Sequence, residues 1–203
     1  MSKELERPDY LGSSFATFMD QFLGESDRAA VILGAAKIEY LLGQLLDKYL
    51  LPCPSSSDDL LDGDAPLSTF SAKIKLCHRL GLVDDHFAKL LNIFRKLRNG
   101  FAHEVTVGSL SSGSARDRVV ALAEPFADTR YFQSLNATVA SKMERDLHDP
   151  GVIFRAVLAV FHLHLLRSYE GLIPLERTSD FEIVAMCKNS VAPGGKDHNN
   201  PGT

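Results

Sequence analysis

The sequence is poor in the features that most readily announce a function. Its three cysteines, Cys53, Cys77 and Cys187, are far apart, odd in number and in no C-x-x-C pair. That excludes a disulfide scaffold and a cysteine zinc site and points to a reducing, cytoplasmic setting. No G-x-G-x-x-G or G-x-x-x-x-G-K-[ST] string occurs, so no dinucleotide or phosphate loop is indicated, and no G-x-S-x-G elbow marks a hydrolase. There is no surplus of positive charge: the net charge is −4, and nothing global steers the chain to nucleic acid or an anionic membrane. The first ten residues, "MSKELERPDY", lack a hydrophobic signal core. The most apolar run, "VIFRAVLAVFHLHLL", is interrupted by Arg155, His162 and His164 and falls short of the roughly 18 apolar residues a span needs, so it reads as a buried helix. The two histidines stand about 200° apart on such a helix and do not converge on one metal. No metal or cofactor is expected.

What is present is helical periodicity. In 203 residues, 45% are apolar and 24% charged, enough for one self-sufficient core. Residues 13–23 read as a short first helix capped by Ser13 or Ser14. Ser26 caps a long second helix with Asp27 in its first turn, and Ile38, Leu41, Leu42, Leu45 and Tyr49 form a broad apolar face. The prolines of "PCPSSS" end it. An acidic connector, 58–66, leads to "STFSAKIKLCHRLG", with Ser68 or Thr69 as cap and Gly81 as stop. "DDHFAKLLNIFRKLRN" follows, capped by Asp84 and ended by Asn99-Gly100. "RVVALAE" fits a short strand or a helical turn. A final long helix spans roughly 150–170, opened by "DPG" and closed near Gly171. The fold class is therefore mainly α, a compact helical bundle with a minor β element allowed between 105 and 135. One domain is expected over 1–187 with a motif-bearing core at 26–106, and a disordered tail over 188–203.

The stretch that bears on chemistry is "RKLRNGFAHE" at 95–104. Arg95, Lys96 and Arg98 sit where a helix dipole favours cations, if the helix ends at Asn99-Gly100. The chemical alternative pairs Arg98 with His103: a histidine to move the proton of a 2′-hydroxyl, and a guanidinium fork to hold the charged phosphate. On an unbroken helix five residues turn through about 500°, leaving the two side chains about 140° apart. They meet only if the helix breaks, or if a second copy completes the site. Upstream, Ser68, Thr69 and Lys73 can either cap a helix or, with Lys75, form an anion site at its N-terminus; capping is preferred. Glu39 reads as exposed, or else as a carboxylate buried against Arg98 or another cation. Cys77-His78 reads as incidental, because adjacent helix positions diverge by about 100°.

"RNGFAH" resembles the R-x4-6-H motif of the HEPN superfamily, small helical domains that often dimerise through the motif-bearing helices. That resemblance implies a metal-independent RNase or toxin component with Arg98, Asn99 and His103 as catalytic positions. A longer stretch, "LLDGDAPLSTFSAKIKLCHRLGLVDDHFAKLLNIFRKLRNGFAHE", is similar to the core of the mannitol operon repressor (MtlR) family, over roughly residues 26–106. It implies an all-helical, homo-oligomeric regulator without a recognised DNA-binding motif, acting through a protein partner. The segment 69–99 superficially offers two helices and a turn, but Phe87, Leu90, Leu91, Ile93, Phe94 and Leu97 make the second helix one to be buried. The reading leans to a non-enzyme; if the chain is an enzyme, a metal-independent endoribonuclease is expected.

Overall fold

The protein is described from a computed structural model, over residues 17, 19–53, 58–103 and 108–176. Residues 19–23 form a helical turn that buries Met19 and Phe22. The caps proposed at Ser13 and Ser14, and the tail at 188–203, lie outside the described residues. Six helices follow: α1 (Asp27–Tyr49), α2 (Phe70–Arg79), α3 (Asp85–His103), α4 (Gly113–Ala123), α5 (Arg130–Met143) and α6 (Pro150–Glu170). Among the described residues there is no strand. The β element allowed between 105 and 135 is thus corrected where that range is described. Ala115, Val119 and Leu122 of α4 recur at helical spacing, and all three are buried.

The caps explain the boundaries. Ser26 Oγ accepts from the Ala29 amide at 3.2 Å and opens α1. Thr69, not Ser68, caps α2, its Oγ1 accepting from the Ala72 amide at 3.2 Å. At the other end of α2 the Leu82 amide donates to Cys77 O and the Gly81 amide to His78 O, with Gly81 left-handed at φ 72°. This paired closure satisfies two orphan carbonyls and needs a residue that tolerates positive φ. Asp84 Oδ1 then accepts from the Phe87 amide at 2.7 Å and starts α3 at once.

α1 and α6 pack together at the centre, and Gly34 lets them approach: a Cβ there would stand 2.8 Å from Leu158 Cδ2. The α2–α3 pair covers α1, α4 bridges α3 and α6, and α5 lies on α6. Between α3 and α6 the space is filled by rings, with Phe87 on Phe161 at 4.9 Å and Phe94 on Phe154 at 5.6 Å. The apolar run read as too short to span belongs to a 21-residue helix, α6. By length and composition alone, both α1 and α6 reach the apolarity of a membrane span, with mean hydropathies of 1.5 and 1.4. Of those windows 50% and 61% are buried inside the bundle, and α6 supplies much of the core.

At the mouth of α6 the interior carries a charge. Arg155 is 0% exposed. Its Nε donates to Phe22 O at 2.8 Å, its Nη2 to Glu25 O at 2.5 Å, and its Nη1 to Gly151 O at 2.9 Å and Asp27 Oδ1 at 3.3 Å. The second Asp27 oxygen accepts from the Leu110 amide at 2.9 Å. Burial pulls the guanidinium below its ordinary pKa, and Asp27 opposes that pull. Gly151 makes the room, since a Cβ on it would lie 2.8 Å from Asp27 Oδ1 and 3.2 Å from Arg155 Nη1. Asp27→Ala leaves the buried cation without its counter-charge and the Leu110 amide without its acceptor. We expect a loss of about 3–5 kcal/mol in urea unfolding. Gly151→Ala should weaken the fold in the same assay, and a loss below about 1 kcal/mol for Asp27→Ala would show that the three carbonyls hold Arg155 unaided.

Candidate functional site

The candidate residues lie along the second half of α3, and here the structure departs from the local reading. The helix does not stop at Asn99-Gly100; it runs unbroken through both to His103. Two terms compete. Glycine inside a helix costs about 1 kcal/mol against alanine. Continuing the helix places Phe101 on the same face as Leu90, Phe94 and Leu97, where it is 0% exposed. Burying such a ring contributes about 1.5–3 kcal/mol, so the packing wins. The helix end is also capped from outside. Arg28 of α1 donates to Phe101 O, and its guanidinium carbon lies 6.0 Å from the Phe101 ring centroid. Arg95, Lys96 and Arg98 are therefore not terminal cations; only His103 among the basic residues stands in the last turn.

Continuity fixes the geometry. Arg98 and His103 point about 140° apart around α3. Arg98 is half-buried and its Nη1 donates to Asn99 Oδ1 at 3.1 Å, while His103 is exposed at the helix terminus. The two are not brought together within one chain. Arg95 is half-buried on the Arg98 side, its Nε enclosed without a hydrogen-bond partner among the described residues; Lys96 is exposed. The flank at Gly100 faces a residue that sequence reasoning missed. Arg118 of α4 holds its Nη1 3.9 Å from where a Gly100 Cβ would stand, and donates to Ser114 Oγ at 2.9 Å. Among the described residues no carboxylate lies within 4.0 Å of Arg95, Arg98 or Arg118. The end of α3 is thus cationic on two flanks, in a chain whose net charge is −4. No local sequence signal ties Arg118 to Gly100, because they meet only through helix packing.

The residues upstream have structural roles. Thr69 spends its hydroxyl on capping α2, the Ser68 amide donates to Ala65 O, and Lys73 pairs with Glu39 at 3.5 Å. Glu39 is only 23% exposed, so its reading as an exposed residue is corrected: it is a half-buried carboxylate paired between α1 and α2, with Lys73 rather than Arg98. Cys77 is buried, donates to Leu42 O, and burial pushes its thiol up to about 12, so it is no nucleophile at neutral pH. Its neighbour His78 turns outward to Asp85, Nε2 to Oδ1 at 2.5 Å, and that contact lowers the Asp85 carboxyl. Among the described residues no group of three His, Cys, Asp or Glu side chains is placed to hold a metal.

His162 and His164 occupy different environments. His164 tilts its ring on Phe87 at 4.3 Å, whereas His162 is 1% exposed in the core. Burial, with a smaller push from Lys37, lowers His162 to about 4. No protein-family model, curated protein or solved structure matches the chain.

The His162 shift sets a pH dependence. Unfolded, the ring titrates at about 6.5; folded, it stays neutral down to about 4. Between those values the unfolded chain binds the extra proton, so stability falls as pH drops from 6.5 to 4, by about 3 kcal/mol in all. Urea midpoints measured across that window should show the decline, and His162→Leu should reduce it, leaving the smaller part due to His164, whose pKa burial also lowers. An unchanged slope in the variant would move the titration elsewhere.

Proposed function

We propose that this chain is a regulatory helical scaffold of the MtlR-like type, acting in the cytoplasm through protein contacts, without a DNA-reading helix of its own and without cofactor or metal. The observation that carries this reading is the continuity of α3 through Gly100. It separates Arg98 from His103 within the chain and so withholds the juxtaposed proton-transfer and phosphate-holding groups that RNA cleavage needs. The same helix buries Phe87, Leu90, Leu91, Phe94 and Leu97 and leaves to solvent a stripe through Asp85, Lys89, Lys96 and His103, which supports reading it as a packed core helix rather than one that reads a major groove.

A second reading is favoured by one specific observation, the guanidiniums of Arg95, Arg98 and Arg118 around the helix end, which have no carboxylate within 4.0 Å among the described residues. It is a HEPN-type, metal-independent RNase in which His103 of one copy meets Arg98 and Asn99 of another. RNA incubated with the purified protein in EDTA decides between them. The scaffold reading expects no cleavage above that of the Arg98→Ala and His103→Ala variants. Cleavage that persists in EDTA and vanishes in both variants overturns it in favour of the enzyme. Selection from random duplex DNA should enrich no sequence; tight, sequence-specific binding would overturn the protein-contact mechanism.

A further inference from the structure

The helix α2 contains no acidic residue, and its outward side holds a shallow apolar groove of about 340 Å³ lined by Leu67, Ala72 and Leu76, with Lys75 and Arg79 on the rim. Both cations are exposed, and neither has a carboxylate within 4.0 Å among the described residues. Beside the groove lies its chemical complement. The turn at 58–64 reads "DDLLDGD" and presents Leu60, 50% exposed, between the exposed carboxylates Asp59 and Asp64, which have no cationic partner among the described residues. The turn is held in shape from within. Asp58 Oδ1 accepts from the Leu60 and Leu61 amides at 2.8 and 3.1 Å, and Asp62 Oδ2 accepts from the Asp58 amide at 3.0 Å. The Leu67 amide donates to Leu60 O at 2.9 Å, so a residue of the groove wall is fastened to the acidic turn.

We propose that this face is a homodimer interface, in which the 58–64 turn of each copy seats Leu60 in the α2 groove of the other, with Asp59 and Asp64 against Lys75 and Arg79. The argument is one of placement. A two-fold axis passing between adjacent complementary patches makes both contacts at once, which is the condition for a closed, isologous pair. Pairing α2 against α2 would instead set Lys75 and Arg79 against their own copies, and like charges in contact are disfavoured. The charges select the register, and burial of Leu60 with the groove leucines supplies non-directional attraction. This surface contains no residue of α3, so the inference does not rest on either reading of Arg98 and His103.

Sedimentation velocity over a concentration series tests it. The wild-type chain should dimerise at low salt and dissociate as salt rises, because exposed ion pairs are screened. The double variant K75E/R79E should weaken association at least about 100-fold, and so should D59K/D64K. An equimolar mixture of the two double variants should recover wild-type affinity, because each supplies the charges that the other's partner surface requires. A chain that stays monomeric at every concentration overturns the proposal. So does a dimer that neither double variant weakens, or a mixture that fails to associate. Circular dichroism of each variant checks that the four surface changes leave the helices intact.

Discussion

The buried ion pair between Arg155 and Asp27 is the constraint around which the bundle is organised. It joins three pieces of chain: the carbonyls ahead of α1, the first turn of α6, and the loop at Leu110. A guanidinium taken out of water costs several kcal/mol, and a single carboxylate seldom offsets that alone. Here three backbone carbonyls, those of Phe22, Glu25 and Gly151, share the task. The pair therefore makes one point of registration between the two longest helices. Gly34 against Leu158 fixes their separation, and Arg155 fixes their relative slide.

From that registration the α3 terminus follows. Asp27 and Arg28 are neighbours at the start of α1. Once Asp27 is held by Arg155, Arg28 is delivered to the carbonyl of Phe101. The geometry of the candidate site is thus set at a distance, by a residue that never touches Arg98 or His103. The same placement explains why cations crowd this end. Arg28 covers the last turn, while Arg95 and Arg98 on the preceding turns and Arg118 on α4 have no carboxylate within 4.0 Å among the described residues.

Much of this was legible in the chain. The caps at Ser26, Thr69 and Asp84 and the glycine stop at Gly81 are local signals, and local signals decide helix ends when nothing longer-ranged opposes them. The failures share one cause. Asn99-Gly100 reads as a stop only if Phe101 has nowhere to go, and whether it has depends on α1, many residues away. Val119 and Val120 favour a strand by local preference, yet α4 is helical because its buried spacing matches the surface of α3 and α6. Glu39 and Lys73 sit 34 positions apart, and Arg118 and Gly100 meet across two helices. Arg155 reads as an interruption in an apolar run because its partners, three carbonyls and an aspartate, carry no sequence signature as a set.

The remaining issue is whether α3 could open to bring Arg98 and His103 together in one chain. Unwinding the last turn returns the penalty on Gly100, about 1 kcal/mol. It exposes the Phe101 ring, at about 1.5–3 kcal/mol, and breaks a charged hydrogen bond from Arg28, at about 1.5–3 kcal/mol. The balance opposes opening by roughly 2–5 kcal/mol, so the open form is a few per cent of molecules at most. A ligand that required it would have to supply that difference from its own contacts. The cheaper arrangement leaves the helix intact and asks a second molecule for the missing group. Catalysis at this corner, where it occurs, is therefore a property of an assembly, and a lone chain offers the same residues only as a cationic surface.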